Sequence, residues 1–238
     1  MNQRRNKIGQ LLGEDVLDWT EIEYPPTKPI KGNYCIVEPL DVSRHLQDLF
    51  EAFSADKKGK MWTYMYFGPF DSIETFRDWM KAASKSTDPQ PYALVELSTG
   101  KAVGMAGYGR IQKAIGVIEI GGLAFSPRLQ KTPAATEAMF LMMSRVFDEL
   151  GYRRCEWKCD SLNEASCRAA ERLGFKFEGI FKQGAVYKGR NRDTAWYSIV
   201  DSDWPALRSA FSIWLKADNF DDEGRQQQRL QDFISSQR

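Results

Sequence analysis

"GVIEIGGLAFSPRLQKTPAATEA", residues 116–138, changes period in mid-course. Its first half is β-rich and bounded by turn residues, which reads as a strand. From Pro133 the apolar residues fall at helical intervals, with Met139, Met142, Met143, Val146 and Leu150 on one side and Gly151 where a helix C-cap belongs. Between the two lies a short basic loop: Arg128 and Lys131 precede Thr132, a good cap, and Pro133, whose missing N–H costs nothing in a first turn. The first amides of a helix lack intrahelical acceptors and carry the positive end of its dipole, so this junction is a candidate anion site. The loop contains no glycine, and read alone it is also what an ordinary helix start looks like.

Working outward, "YRRCEWKCD" (152–160) reads as a strand that, after an intervening helix, lies parallel to the one before it. "SLNEASCRAAERLGFKFEG" (161–179) is helical, with Ser161 and Glu164 spaced as a capping box and Gly174 ending it. "FKFEGIF" and "DTAWYSIV" are two further strands around the loop "KQGAVYKGRNR" (182–192). Upstream, "PYALVEL" and "STGKAVGMAGYGRI" join the strand at 117–125 in an antiparallel meander. "YCIVEPL" predicts a first strand, followed by a helix over 43–53 in which His45 is a surface or packing residue and a helix over 71–85 capped by Asp71 or Ser72. Three prolines in "EYPPTKPIKGNY" predict an extended arm, and "SDWPALRSAFSIWLK" predicts an amphipathic helix capped by Asp203. The polar tail beyond 220 is either a loosely docked helix or frayed. The fold class is therefore α/β: a mixed, mostly antiparallel sheet with a central parallel step and flanking helices, divided as arm 1–32, domain 33–200 and helical extension 201–238.

Composition narrows the function. The 238 residues carry 33 Lys and Arg against 32 Asp and Glu, so no broad basic face for nucleic acid is expected, and Arg153-Arg154 and the 188–192 run read as solvated loop charge. Cys35, Cys155, Cys159 and Cys167 form no paired CxxC knuckles and His45 is remote from them, so no metal site is expected. No apolar run approaches the roughly 20 residues of a membrane span, and the opening lacks a signal-peptide core, which predicts a reduced cytoplasmic protein; the sequence does not decide between monomer and homodimer.

The strand, the capped helix start and the "SLNEAS…RLGF…EG" segment together resemble the GNAT superfamily of acetyl-CoA-dependent N-acetyltransferases, particularly the branch of the ribosomal-protein alanine acetyltransferases. The resemblance runs over about residues 33–200. In that family a Q/R-x-x-G-x-G/A loop holds the coenzyme A pyrophosphate. Gln130, Pro133 and Ala135 occupy its three positions, a departure at Pro133, while Asn163, Ser166, "RLGF" at 172–175 and Glu178-Gly179 match the second signature more closely.

The resemblance implies that amides around Lys131, Thr132, Ala134, Ala135 and Thr136 bind pyrophosphate. It also implies that the strand at Leu123, Ala124 and Phe125 lies along the pantetheine arm, and that Asn163 contacts coenzyme or acceptor. It implies direct attack of a primary amine on the thioester. The amine must be neutral; an α-amine near about pKa 8 needs little help, whereas a lysine near about 10.4 must lose its proton in the site. A base contributes about 10²–10⁴-fold, and Glu119 is the candidate, an alternating-strand polar residue being its other reading. The tyrosine that many relatives place seven residues after the asparagine is Ala170 here, leaving Ser166 as candidate acid or, equally, a helix-capping residue. Trp62, Tyr64 and Tyr66 in "MWTYMYFGPF", with Tyr187, are candidate acceptor contacts or core aromatics. The alternative to an enzyme is a non-catalytic acyl-CoA sensor, motivated by Pro133 and Ala170.

Overall fold

A computed structural model describes residues 4–237 of the chain. Eight strands form one sheet: β1 (Ile30–Lys31), β2 (Cys35–Pro39), β3 (Gln90–Glu96), β4 (Lys101–Gln112), β5 (Val117–Phe125), β6 (Arg154–Asp160), β7 (Lys176–Tyr187) and β8 (Arg190–Val200), in the order β1-β2-β3-β4-β5-β6-β8-β7. Neighbours are antiparallel except β5 and β6, which run parallel because α3 (Pro133–Ser144) crosses over between them.

Central strands are apolar on both sides and so separate two cores. Tyr92 and Leu94 of β3 point into the larger one, against α3 and α5 (Trp204–Trp214), whereas Ala93 and Val95 point into the smaller one under α1 (Val42–Ser54) and α2 (Ile73–Ala83). Asp41 caps α1, and Ser72 caps α2 in a box with Thr75. His45 is buried with Nε2 3.1 Å from Glu38 Oε2, a packed and satisfied side chain.

Four features depart from the pattern read in the sequence. The 182–192 segment is not a loop: β7 and β8 make one long hairpin turning at Lys188-Gly189, with a bulge in β7 between Phe181 and Ala185. α4 (Glu164–Arg172) starts two residues later than a Ser161 box implies, because Asn163 Oδ1 accepts from Ser166 N at 3.2 Å and is itself the cap. α3 ends in a π-helical turn, Arg145–Glu149, before Gly151 takes a left-handed φ of 74°. Asp203 stands at the start of α5, but its carboxylate accepts from Lys176 Nζ (2.6 Å) and not from the helix. The tail docks: Leu230 and Ile234 of α6 (Leu230–Ser236) are buried against the larger core.

The Pro-rich arm is held by hydrogen bonds to its carbonyls from buried side chains. Tyr152 Oη donates to Glu23 O, Gln90 Nε2 to Pro25 O, Tyr92 Oη to Pro26 O and Arg145 Nη1 to Lys28 O, at 2.8–3.1 Å. Where the arm enters β2, Glu137 on α3 accepts from the amides of Asn33 (2.7 Å), Tyr34 (2.7 Å) and Cys35 (2.9 Å). The carboxylate also lies so close to Gly32 that a Cβ there would collide with it. Glu137 is buried among apolar residues, so without this carboxylate three amides would face a dry interior. Glu137→Gln keeps the shape but loses the charge and one acceptor; we expect a loss of about 1–3 kcal/mol in urea unfolding with an unchanged m-value.

Candidate active site

β5 and β6 bond to each other only from Val117/Arg154 to Glu119/Glu156 and then diverge. The cause lies on the other edge of β5. Met105 pairs with Ala124 and Gly107 with Gly121, so Ala106 opposes two residues, and the extra one is accommodated by Gly122 with φ 63°. A bulge bends its strand and increases the twist. The two strands thus open like a V below the start of α3, leaving residues 120–125 and 157–160 without partners across the seam.

The opening is a cleft of about 1340 Å³. At its loop end Gln130 Nε2 donates to Phe125 O (2.8 Å), which closes the basic loop on the strand. Thr132 caps α3, accepting from Ala135 N at 3.2 Å, and Pro133 is in the first turn. The left-handed turn that a glycine would ease is made by Lys131, at φ 63°. The amide inventory is shorter than the sequence implies: Thr132 N already donates to Leu129 O (3.3 Å), Ala135 N serves the cap, and Thr136 is the first residue with an intrahelical acceptor, which leaves Lys131 and Ala134. Arg172, which sequence reasoning missed, adds what the amides lack. It lines the cleft with its guanidinium 5.2 Å from the Trp214 ring centroid and donates to Thr136 Oγ1 (3.0 Å); with no carboxylate paired to it among the described residues, desolvation pulls its pKa down. "RLGF" had offered it as a motif residue, but only the fold shows a half-buried cation beside a helix start.

At the vertex stands Glu119, with Lys158 Nζ 3.1 Å from Oε2 and Arg110 Nε at 3.9 Å; Lys158 also pairs with Glu156. Burial raises the Glu119 pKa above the usual carboxylate range, and Lys158 opposes the shift without cancelling it. Leu123, Phe125, Asn163 and Ser166 line the same space. Ser166 Oγ accepts from Trp157 Nε1 at 3.0 Å, which fixes the oxygen. Ala124 and Ala134 turn their methyl groups into the two cores, so only their backbone faces this chemistry. Ala170 is fully buried in the larger core and carries no hydroxyl, so that position supplies no proton donor to the cleft.

The far end is roofed by residues 61–67, of which Tyr64 and Tyr66 line the cleft. Trp62 does not. Its indole is buried against Phe53, Phe67 and Phe70, and it anchors the roof from behind. Tyr187 is likewise a support: buried on β7, it donates to Asp160 Oδ2 (2.8 Å) and packs 5.3 Å from Tyr66, and burial together with Asp160 pushes its pKa up to about 12. Arg192, Thr194 and Trp196 of β8 complete the floor; none was singled out in the sequence, Arg192 because it closes a segment that reads as polar loop and the other two because they lie in a strand whose facing the sequence does not give.

Residues 35–176 match the family model of the acetyltransferase (GNAT) domain, so the chain belongs to the GNAT acetyltransferase family. It is similar to the crystal structure of a GCN5-related N-acetyltransferase from Brucella melitensis, with 46% identity and a TM-score of 0.91, over 92% of this chain and 100% of that one. A probable GNAT-family acetyltransferase from Chromobacterium violaceum is 40% identical with a TM-score of 0.77, over 83% of this chain and 98% of that one. An uncharacterized N-acetyltransferase, YnaD, of Bacillus subtilis is 30% identical over 35% of this chain and 49% of its own length, so the chain spans about half of that curated relative. The family is one of acetyl-CoA-dependent N-acetyltransferases.

Lys131 puts backbone strain and positive charge at one position, and Lys131→Gly separates them. Glycine relieves about 1–2 kcal/mol of left-handed backbone cost, offset in part by the freedom it gains when unfolded, so unfolding should show equal or greater stability. Acetyl-CoA affinity measured by calorimetry should fall severalfold through loss of the charge.

Proposed function

We propose that the protein acetylates a primary amine by direct attack on acetyl-CoA bound in the V between β5 and β6. The observation that carries this reading is the unpaired strand edge, which ends at the capped start of α3 with Glu119 at its vertex. Backbone groups of residues 123–125 lie where the pantetheine arm adds like a short strand, and the coenzyme phosphates meet Lys131, the Lys131 and Ala134 amides and Arg172. Asn163, which caps α4 with one amide atom, borders the thioester.

In the reaction the amine nitrogen bonds to the thioester carbon, the carbon–sulfur bond breaks, and the pair of electrons leaves on sulfur. Glu119 takes the proton from the amine, directly or through one water, and its raised pKa brings it nearer to the task. The Ser166 hydroxyl, with its oxygen held by Trp157, relays a proton from solvent to the thiolate and is reprotonated in the same transfer, while Glu119 returns its proton to solvent, so that one proton moves in net from nitrogen to sulfur. Lys158, 3.1 Å from Glu119, orients the carboxylate and disfavours a second cation at the vertex, so the amine must arrive neutral. The roof at 61–67 and its aromatic lining favour a small-molecule amine over a protein N-terminus. Free cysteines at all four positions support a reducing, cytoplasmic setting. A non-catalytic sensor is not favoured: Lys131 makes the turn that Pro133 cannot, and a carboxylate stands at the vertex.

Glu119→Gln should lower kcat/KM by about 10²–10⁴-fold with little change in acetyl-CoA affinity. In the native enzyme kcat/KM should rise with pH along an acidic limb centred above the ordinary carboxylate range, because the base must be ionised and burial raises its pKa. That limb should vanish in the variant; its survival would assign the base elsewhere.

A further inference from the structure

β8 carries Arg192, Thr194 and Trp196 on one face, and register sets Thr194 beside Asp160 and Trp196 beside Lys158 of β6. This face floors the far end of the cleft. Arg192 is 7% exposed, yet no carboxylate among the described residues pairs with it. Its guanidinium lies over the rings of Tyr66 (4.9 Å) and Tyr187 (5.8 Å), and Nε donates to Thr194 Oγ1 (3.1 Å). Nη1 and Nη2 have no protein acceptor among the described residues and are not sealed off as the buried orphan atoms are. The nearby carboxylate, Asp160, is already engaged by Tyr187 Oη and Leu162 N.

A buried cation normally has a partner or a strongly perturbed charge state, and arginine keeps its charge. Here aromatic rings lie against the guanidinium, and Nη1 and Nη2, a pair of donors that can receive two oxygens of a carboxylate side by side, are left without an acceptor among the described residues. The ring of Trp196, beneath Lys158 (4.0 Å) and Arg110 (5.5 Å), walls the cleft between this guanidinium and the Glu119 vertex.

We infer that the amine acceptor carries a carboxylate and that Arg192 reads it, which makes the substrate class amino carboxylates held by the acid end at Arg192 and the amine end near Glu119. This rests on the acetyl-transfer reading above. From Trp196 to Arg192 is four residues of strand, about 13 Å, which long side chains at both ends shorten, so amine and carboxylate are several bonds apart.

The test compares 6-aminohexanoate with 6-aminohexanamide, equal in length and differing in charge. Native enzyme should prefer the carboxylate by about 10- to 100-fold in kcat/KM. Arg192→Gln should bring the two within about threefold by lowering only the carboxylate, Arg192→Lys should restore part of the preference, and acetyl-CoA affinity should stay unchanged in both. A parallel arm needs no turnover: protein saturated with desulfo-CoA is titrated with hexanoate and hexanamide by calorimetry, and hexanoate should bind about 10-fold tighter in native protein only. Equal use and equal binding of the paired probes by native protein, or an equal loss of both in Arg192→Gln, overturns the inference. If acetyl-CoA itself fails to bind, the acetyl-transfer reading falls, and the hexanoate titration without coenzyme still decides whether Arg192 is a carboxylate site.

Discussion

Backbone N–H and C=O groups cannot be left dry, and the architecture turns on the place where two central strands stop meeting that requirement for each other. Up to Glu119 and Glu156 the parallel ladder is intact; past them β5 bends away at the Gly122 bulge, and the exposed strand edges must bond to water or to a guest. The same bend brings the end of β5 to the basic loop, so the groups that seek a strand-like partner and those that seek an anion lie along one line. A ligand that is extended and amide-bearing at one end and phosphorylated at the other meets both demands. The rest of the fold keeps this line rigid: α3 buries eight of its residues, and Glu137 ties it to the entry of β2.

Much of this was legible in the sequence, for a local reason. Strand and helix periods, the Thr132-Pro133 start and the crossover that forces a parallel step depend on residues close together in the chain. What was hidden depends on tertiary partners or on backbone angles that side-chain identity does not announce. Nothing marks Lys131 as the left-handed residue, and nothing marks Arg172 and Arg192 as cations that pair with no carboxylate among the described residues, because lacking a partner is a property of the whole fold. The Gly- and charge-rich stretch 182–192 masks its strand character, since a bulge interrupts the alternation. Trp62 and Tyr66 sit in one aromatic run, yet one is core and the other cleft, a division set by which way the roof turns. One signal was there to be found: Glu137, a lone carboxylate in the apolar run of α3, at a position that an ordinary helix would give to a hydrophobe.

The cleft is also an arrangement of unequal charges. At the vertex, Lys158 and Arg110 face Glu119 and Glu156, so opposite charges compensate at short range and the carboxylate is held in place. At the two ends, Arg172 and Arg192 are compensated mainly by aromatic rings, an interaction worth about 0.5–2 kcal/mol and far short of an ion pair in a dry site. The molecule thus keeps its neutralised charges where geometry must not move and its unspent ones where a ligand arrives.

The fastening of the roof has a mechanical consequence. Lys188 Nζ donates to the carbonyls of Trp62 (2.8 Å) and Gly68 (2.6 Å), and Arg190 Nη2 to that of Thr63 (2.6 Å), so the tip of the hairpin grips the roof by its main chain. Such bonds ignore the side chains of the segment they hold. They are also bonds that water replaces readily at an exposed surface. Residues of the roof can therefore be exchanged without loosening the clasp, and the clasp can be undone without parting the aromatic packing behind Trp62, so the acceptor's entrance is free to vary, and to breathe, independently of the core beneath it.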